Sequence, residues 1–303
     1  MKRPSILTLS LLFVFAFFAF LSGRVFYLWA FSQKPLILPL VAQTQAQKFT
    51  PGQSSVPSYS ELGMPSPTPS GSGKPQGYCL FVPVLMYHHV QPEAVAVQRG
   101  QTGLTVDPAY FDQQMNYVVS HGYTPITAEQ LVLALKNHTG VPAKSIVVTL
   151  DDGYQDNFDY AYPVFQKYHI IANLMVATGL LGGVGNNTYY TWDELKQMVG
   201  SGLIFTFDHT WSHYSMGSGT AQKDQTEITL GKQQLETNIG QKQIVFAYPY
   251  GAGYNNPRVT QELSSDGFLG AYSTIGGMWQ CDSYIYALRR IHVGNLPLSS
   301  YGL

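Results

Sequence analysis

Charge and cysteine are scarce in this chain of 303 residues. Only 12% of the residues are charged, against roughly 25% in an ordinary soluble domain. The 17 Lys and Arg residues nearly balance the 18 Asp and Glu residues, so the basic face of a nucleic-acid-binding protein is missing. Two cysteines are too few for a disulfide framework or a four-thiolate zinc site. No repeat of about 20–50 residues is visible, which argues against a solenoid.

Apolar and aromatic residues, in contrast, are abundant. Apolar residues make up 45% of the chain, and aromatic residues make up 14%, including 21 Tyr and 16 Phe. A composition this rich in core-forming side chains excludes wholesale disorder. The length allows one large domain or two small ones.

The amino terminus is predicted to be a membrane anchor. Lys2 and Arg3 precede an apolar run, Ile6–Leu21, that resumes at Val25–Phe31. Roughly 20 apolar residues span a bilayer, and the two basic residues favour a cytoplasmic amino end. We therefore predict an uncleaved, single-pass signal-anchor over residues 1–31 of a cytoplasmic membrane protein, with an extracytoplasmic catalytic domain. The alternative is a signal peptide that is cleaved from a secreted protein.

Residues 32–77 are predicted to form a flexible linker. From about Val41 onward Gln, Ser, Thr, Pro and Gly dominate this segment, so little apolar surface is available to offset the entropy of ordering. The folded catalytic domain is then expected over residues 78–303. Cys79 and Cys281 lie near its two ends. They could pair outside the cytoplasm if their Cα atoms come within about 7 Å, which the sequence leaves open.

Short β-branched runs alternate with helical patterns in this domain. The predicted strands are Val82–Tyr87, Ile146–Leu150, Ala172–Val176, Leu203–Phe207, Ile244–Ala247, Leu269–Ser273 and Ile291–Val293. The predicted helices are Pro108–His121, Thr127–Asn137, Asp159–Tyr168, Trp192–Val199 and Pro257–Ser265. This alternation predicts an α/β fold with a parallel sheet buried on both faces. A small barrel and an open doubly wound sheet both fit, and either places the chemistry at the carboxyl ends of the strands.

A pair of acids ends one predicted strand. Asp151 and Asp152 follow Ile146–Leu150 and precede Gly153. An Asp-Gly sequence is common in turns, so a turn without function is one interpretation. Two carboxylates at the end of a buried strand are costly, however, unless a cation or a hydrogen-bond network satisfies them. Because adjacent side chains point in different directions, the two acids can take different roles around one centre.

Two histidines follow another predicted strand. His209 and His213 are spaced i, i+4 after Leu203–Phe207, which would place them on one face of a helical turn and let them share a metal. Two polar residues at a helix start are the simpler interpretation of this pair alone. Together with one Asp they supply three ligands and leave open coordination positions, as in a hydrolytic metal site.

Two further strand ends carry candidate residues. Tyr248-Pro249-Tyr250-Gly251 forms a rigid turn that can aim a backbone N–H at a developing oxyanion, although it can also be only a turn. His88 follows Val82–Tyr87, and a histidine there can act as a general acid or be purely structural. Because His88 and His89 alternate in direction, at most one of them is expected to face the site.

These motifs resemble those of the polysaccharide deacetylases, carbohydrate esterase family four. The resemblance rests on Thr149–Gly153, His209–His213 and Tyr248–Gly251, in this order, and covers the chain from about Tyr78 to its end. The opening Leu85-Met86-Tyr87-His88 resembles the branch of the biofilm poly-N-acetylglucosamine deacetylases. The resemblance implies a distorted (β/α) barrel of about seven strands.

The resemblance also implies roles for individual residues. Asp151 would be the catalytic base, and the backbone N–H of Tyr250 would stabilise the oxyanion. His88 would be the general acid, with His292 of a late motif as the alternative. The metal ligands would be Asp152, His209 and His213, and the metal would be Zn²⁺, with Co²⁺ or Ni²⁺ also used in the family.

The implied reaction is the removal of N-acetyl groups from an extracytoplasmic polysaccharide such as poly-N-acetylglucosamine, peptidoglycan or a chitin-like polymer, with release of acetate. The family often has an arginine in the third motif that braces the base, and this chain has Ala247 at that position. An O-acetyl esterase, an inactive glycan-binding barrel and a glycosidase that uses Asp151 with Asp156 are the alternatives. The expected partners are the polysaccharide and, through the anchor, the membrane, but not nucleic acid; a monomer is expected.

Overall fold

The computed structural model describes residues 76–183, 185 and 187–303, which fall within the unit Ser58–Leu303. The predicted anchor, 1–31, and nearly all of the predicted linker, 32–77, lie outside the described residues. Within the described part of the chain, no helix combines the length and the apolar character that a bilayer span requires.

Twelve strands and seven α-helices are found in the described residues. The strands are β1 (Cys79–Phe81), β2 (Val84–Tyr87), β3 (His89–Val90), β4 (Thr105–Val106), β5 (Thr124–Pro125), β6 (Ser145–Asp152), β7 (Ala172–Val176), β8 (Ile204–Asp208), β9 (Val245–Ala247), β10 (Gly270–Tyr272), β11 (Trp279–Cys281) and β12 (Ile291–His292). The α-helices are α1 (Glu93–Arg99), α2 (Pro108–Ser120), α3 (Ala128–Asn137), α4 (Tyr162–Tyr168), α5 (Trp192–Gly200), α6 (Ala221–Ile239) and α7 (Pro257–Ser265).

Seven strands form the path of one parallel sheet, in the order β10, β9, β8, β7, β6, β2, β12, and β5 pairs with β6 beside this path. Every pairing within the sheet is parallel. These seven strands correspond to the seven runs predicted from the sequence, so a parallel sheet of about seven strands is confirmed.

Residues 288–292 connect the two edges of this sheet. Leu288 forms a parallel bridge with Tyr272 of β10. Three residues later, Ile291 of β12 pairs with Leu85 of β2. The sheet therefore curves until its edge strands meet across one short segment, which is consistent with the distorted barrel that the resemblance implies.

Both faces of the sheet are buried, as predicted for parallel strands. Ile146 and Val148 of β6 pack in one apolar cluster together with side chains from helices α2, α4 and α5. Val147, which points the other way, packs in a second cluster with side chains from α3. Asp151 is four residues after Val147 in the same strand, so its side chain points to the same face as that of Val147, opposite α2, α4 and α5.

The helices follow the predicted order with two additions, α1 and α6. Helix α3 begins with the predicted Thr cap: Gln130 N donates to Thr127 Oγ1, and Thr127 N donates to Gln130 Oε1, which forms a capping box. Helix α6, the longest of the described helices, was not predicted. Its buried positions include Asp224, Glu227 and Gly231, so no apolar periodicity indicates it.

Cys79 and Cys281 form a disulfide. They are register partners in the antiparallel pair β1–β11 and lie 202 residues apart in the chain. The bond therefore joins the beginning of the described domain to its last part, and it resolves the question that the sequence left open.

Replacing both cysteines with serine is expected to lower the free energy of unfolding by about 2–5 kcal/mol. The unfolded chain would regain the entropy of a loop that spans 202 residues, while the strand pairing itself would remain. Urea unfolding of the oxidised wild type and of the double variant measures the difference. An unchanged midpoint and slope would show that the disulfide does not stabilise the domain.

Candidate functional site

The predicted site residues follow the carboxyl ends of neighbouring parallel strands. The strands concerned share one sheet, so their carboxyl ends lie at the same edge. The residues brought to this edge are His88 after β2, Asp151 and Asp152 in β6, His209 after β8, Pro249 and Tyr250 after β9, and His292 in β12.

Asp152, His209 and His213 come together. Asp152 Oδ1 lies 3.2 Å from His209 Nε2 and 3.0 Å from His213 Nε2. One potential ligand atom from each residue lies within 4.8 Å of the other two. Two imidazoles and one carboxylate form the ligand set of an open catalytic metal site, so these three residues make a possible metal site.

The donor set fits a divalent cation. His209 Nδ1 lies 2.8 Å from the carbonyl oxygen of Ala247, which can only accept, so Nδ1 carries a proton. When the ring is neutral, the lone pair of Nε2 therefore points toward Asp152, whose buried Oδ1 has no hydrogen-bond partner. A buried carboxylate oxygen that faces a lone pair is costly, and a cation between the two groups would remove that cost.

The protonation state of Asp152 also suits a ligand. Burial alone would raise the pKa of this carboxyl group, but hydrogen bonds and positive charge from His209 and His213, when those rings are protonated, hold the pKa well below its usual range. The group is therefore ionised at neutral pH, as a carboxylate ligand must be.

The segment between His209 and His213 is a loop, so the helical turn predicted from their spacing is wrong. Thr210 and His213 have φ values of 66° and 57°, in the left-handed region that non-glycine residues seldom adopt. Tyr214 N donates to Thr210 Oγ1, and Thr210 N donates to Asp208 Oδ1. These bonds hold a turn in which both imidazoles face Asp152.

Backbone strain is concentrated at this site. Four of the seven non-glycine residues with positive φ in the described ranges are Asp152, Thr210, His213 and Tyr250. Each such conformation costs about 1–3 kcal/mol and persists only where the surroundings enforce it. The fold therefore supports a local geometry that the chain would not adopt by itself.

Glu227 of α6 holds the loop from His209 to His213. Its carboxylate accepts hydrogen bonds of 2.7 Å from both the N–H and the hydroxyl group of Ser212, and Lys223 Nζ donates to it at 2.6 Å. Trp211 N donates to the backbone carbonyl of Glu227. Burial alone would raise the pKa of Glu227, but these donors lower it. The sequence analysis missed Glu227 because α6 carries no motif and no clear apolar pattern.

Asp151 forms a buried, bidentate ion pair with Arg290. The two oxygens of Asp151 lie 2.7 Å from Nη1 and 2.7 Å from Nη2 of the guanidinium group, and both side chains are at most 2% exposed. Arg290 also donates to the Thr149 hydroxyl and to the Ser273 carbonyl. Burial alone would raise the pKa of Asp151, but the charge of Arg290 contributes most to holding it below its ordinary value.

Arg290 makes with Asp151 the kind of bracing contact that the resemblance assigns to an arginine at the position of Ala247. The sequence analysis named His292 in this same segment but gave Arg290 no role. A usable signal was present, because an arginine beside an apolar strand needs buried acceptors. Its partner is 139 residues away in the chain, and only the closure of the sheet brings the two side chains together.

His88 and His292 lie next to each other at the site. Their ring centroids are 5.6 Å apart and the rings meet edge to face. His88 Nδ1 is buried without a hydrogen-bond partner. Burial lowers the pKa of His88, and the charges of Asp151 and Asp152 oppose that effect. Both imidazoles therefore lie within electrostatic reach of Asp151.

His89 points away from His88, as the alternation of the strand predicts. Its Nδ1 lies 2.6 Å from Asp156 Oδ2, and its ring stacks on Tyr154 at 3.6 Å between centroids. The other oxygen of Asp156 accepts from Val90 N. Asp151 is paired with Arg290, and Asp156 is paired with His89. Asp151 and Asp156 therefore do not form the two free, opposed carboxylates that a glycosidase needs.

Tyr250 is the most exposed aromatic residue at the site. It follows Pro249 in a short 3₁₀ turn and has a φ of 59°. Its side chain is 70% exposed, and its hydroxyl lies 3.1 Å from Nδ1 of His213. Tyr250 therefore borders the possible metal site, in the position that the third motif predicts.

Comparisons with known proteins agree with this geometry. The family described as Polysaccharide deacetylase matches residues 138–270. The Bacillus subtilis protein YxkH is 27% identical over 213 residues, which cover 70% of this chain and 71% of that protein. The Escherichia coli poly-β-1,6-N-acetyl-D-glucosamine N-deacetylase is 22% identical over 252 residues, which cover 70% of this chain and 36% of that enzyme.

A solved structure with the same fold is the Streptococcus pyogenes deacetylase PplD in complex with acetate, with a TM-score of 0.64, 27% identity and coverage of 73% of this chain and 94% of that one. IcaB from Ammonifex degensii has a TM-score of 0.63 and 26% identity, and the match covers 72% and 93% of the two chains. The motifs, the strand order and these similarities lead to one assignment: this chain is an enzyme whose residues 138–270 match the Polysaccharide deacetylase family, and it is similar to the deacetylases of carbohydrate esterase family four.

Proposed function

We propose that this enzyme is a metal-dependent de-N-acetylase of an extracytoplasmic polysaccharide. The observation that carries the proposal is the buried Oδ1 atom of Asp152, which faces the Nε2 atoms of His209 and His213 without a hydrogen-bond partner. These three residues would hold the metal, and Zn²⁺ suits two imidazoles and one carboxylate. When bound, the cation would supply Lewis acidity, which polarises an amide carbonyl and lowers the pKa of water.

Asp151 would act as the general base. It neighbours the ligand Asp152 in the sequence but is held by a different partner, the guanidinium group of Arg290. The paired hydrogen bonds fix the plane of the carboxylate, and the lowered pKa keeps Asp151 ionised at neutral pH. The same ion pair argues against a decayed, inactive barrel, because the base and its brace are both present.

Two further groups would act on the amide. The family resemblance gives the backbone N–H of Tyr250 the role of stabilising the negative carbonyl oxygen, and one such donor is typically worth about 2.7–4 kcal/mol. His88 would then protonate the departing amine. Its unpartnered, buried Nδ1 and its place beside the acid pair support this choice over His292.

The substrate class is proposed from the relatives. Those from Escherichia coli and Staphylococcus aureus are named poly-β-1,6-N-acetyl-D-glucosamine N-deacetylases. A β-1,6-linked N-acetylglucosamine polymer is therefore the first substrate to test, and the products would be acetate and glucosamine units. The same chemistry would cleave an O-acetyl ester, so acetylated xylan belongs in the same assay. Acetate release from xylan with none from the N-acetylated polymer would overturn the proposed amide substrate.

An extracytoplasmic location is also part of the proposal. The disulfide between Cys79 and Cys281 supports it, since such bonds persist in oxidising compartments. The apolar run Ile6–Leu21 supports a tether to the membrane, and an exported polymer would then be within reach of the domain.

Substitutions of the two adjacent acids, Asp151 and Asp152, should impair the enzyme in different ways. Asp152→Ala is expected to abolish stoichiometric metal binding and acetate release together, because it removes a ligand. Asp151→Asn is expected to bind the metal as the wild type does while turnover falls by at least about 10²-fold, the usual contribution of a general base. Metal titration and acetate release are measured on both variants. Full turnover by the Asn variant would refute the assignment of the base.

Arg290→Lys should show whether Asp151 needs only the positive charge of Arg290 or also its bidentate hydrogen bonds. Lysine keeps the charge but cannot form the bidentate pair with Asp151, so kcat is expected to fall about 10- to 100-fold while metal affinity stays unchanged. Arg289→Lys is the matched control at the neighbouring position, where the guanidinium donates to the Gly276 carbonyl. Unchanged kcat in a folded Arg290→Lys enzyme would contradict a bracing role.

The general acid can be identified with substrates that differ in their leaving groups. His88→Asn is expected to lower turnover of the amide about 10²- to 10⁴-fold. Hydrolysis of an activated aryl acetate should suffer much less, because its leaving group needs no proton. His292→Asn is the matched comparison at the neighbouring ring. If only His292→Asn shows this selective loss, the acid is His292 and the assignment of His88 is wrong.

A further inference from the structure

We propose that the hydroxyl group of Tyr250 is a positioning group for the metal, because it accepts a hydrogen bond from Nδ1–H of His213 and so directs Nε2 of that ring toward Asp152. The proposal rests on the metal dependence proposed above. It concerns the side chain of Tyr250 and is separate from the backbone N–H that the family resemblance places at the oxyanion.

The first support is the geometry around His213. The Tyr250 hydroxyl lies 3.1 Å from Nδ1, while Nε2 of the same ring lies 3.0 Å from Asp152 Oδ1. A neutral imidazole that offers a lone pair at one nitrogen carries its proton on the other. When Nε2 serves as the ligand atom, Nδ1–H therefore donates and the Tyr250 hydroxyl accepts.

The second support is that one short segment serves both ligand histidines. The carbonyl oxygen of Ala247 accepts from Nδ1 of His209 at 2.8 Å, and Tyr250, three residues later, accepts from His213. Partners of this kind fix the tautomer and the orientation of a metal-binding histidine. The segment after β9 would thus orient both imidazoles: a backbone carbonyl would orient His209, and the side chain of Tyr250 would orient His213.

The third support is the difference between the two rings. The side chain of His209 is 2% exposed, whereas that of His213 is 19% exposed. His213 also lies in the strained loop, with a φ of 57°. Packing alone therefore restrains His213 less than His209, and a specific hydrogen bond has more effect on its orientation.

The conformation of Tyr250 is consistent with this role. Its ring is mostly exposed, so hydrophobic burial does not account for its position. Its φ of 59° is in the left-handed region, and the ring lies 4.5 Å from that of His213 between centroids. In this conformation the hydroxyl of Tyr250 lies beside His213.

Tyr250→Phe tests the proposal, because it removes the hydroxyl and leaves the ring and the backbone N–H in place. The full-length protein, stripped of metal, is titrated with Zn²⁺ and with Co²⁺ in competition with a chromophoric chelator. We expect the Kd of both metals to rise about 10- to 100-fold and the visible absorption bands of the Co²⁺ form to change. The melting temperature of the metal-free protein should not change.

Tyr254→Phe is the matched control from the same loop, since Tyr254 packs against a separate apolar cluster, and it should bind both metals as the wild type does. Unchanged Kd values and an unchanged Co²⁺ spectrum in Tyr250→Phe would overturn the positioning role, and the metal site itself would stand as long as Asp152→Ala still abolishes binding. A wild-type protein that takes up no stoichiometric metal would overturn both the metal site and the role of Tyr250.

Discussion

The site depends on the burial of one carboxylate, that of Asp152. The side chain is 4% exposed, and a buried charge of this kind requires compensation by a cation or by hydrogen bonds. Here the facing atoms are imidazole nitrogens, and the neighbouring loops accept strained backbone conformations to bring them there. Glu227 binds the loop from His209 to His213, and the segment from Ala247 to Tyr250 contacts both imidazole rings. We interpret the arrangement as a cation site that is preorganised before a cation binds. The packing of the surrounding fold stabilises the strained backbone conformations that this site requires.

Much of the fold and the centre of the site could be predicted from the sequence. Each of the seven predicted strands has a counterpart in the parallel sheet, because each is a short apolar run bounded by a turn signal, which is the strongest local pattern that a buried strand can have. The acid pair and the two histidines of the possible metal site, His209 and His213, could be identified for a related reason. They directly follow such strands, so their meeting at one edge follows from parallel topology.

Other features lacked a local signal. Helix α6 buries Asp224 and Glu227, so its inner face is polar and its apolar periodicity is weak. Arg290 reaches Asp151 only because the last strand closes the sheet, and no spacing in the sequence encodes that contact. The histidine loop was misassigned as helical because the i, i+4 spacing was considered without the side-chain hydrogen bonds that favour a turn at Thr210. Contacts between residues far apart in the chain, and helices with a polar inner face, therefore could not be predicted from the sequence.

A crystal structure of the Zn²⁺-loaded enzyme, with the metal located by its anomalous scattering, would test the central claim most directly. The account predicts one zinc ion bound by Nε2 of His209, Nε2 of His213 and the carboxylate of Asp152, at about 2.0–2.2 Å from each ligand atom. Asp151 should remain paired with Arg290 and off the metal. Zinc bound elsewhere, ligation through Nδ1 of either histidine, or an Asp152 side chain turned away from the imidazoles would contradict it.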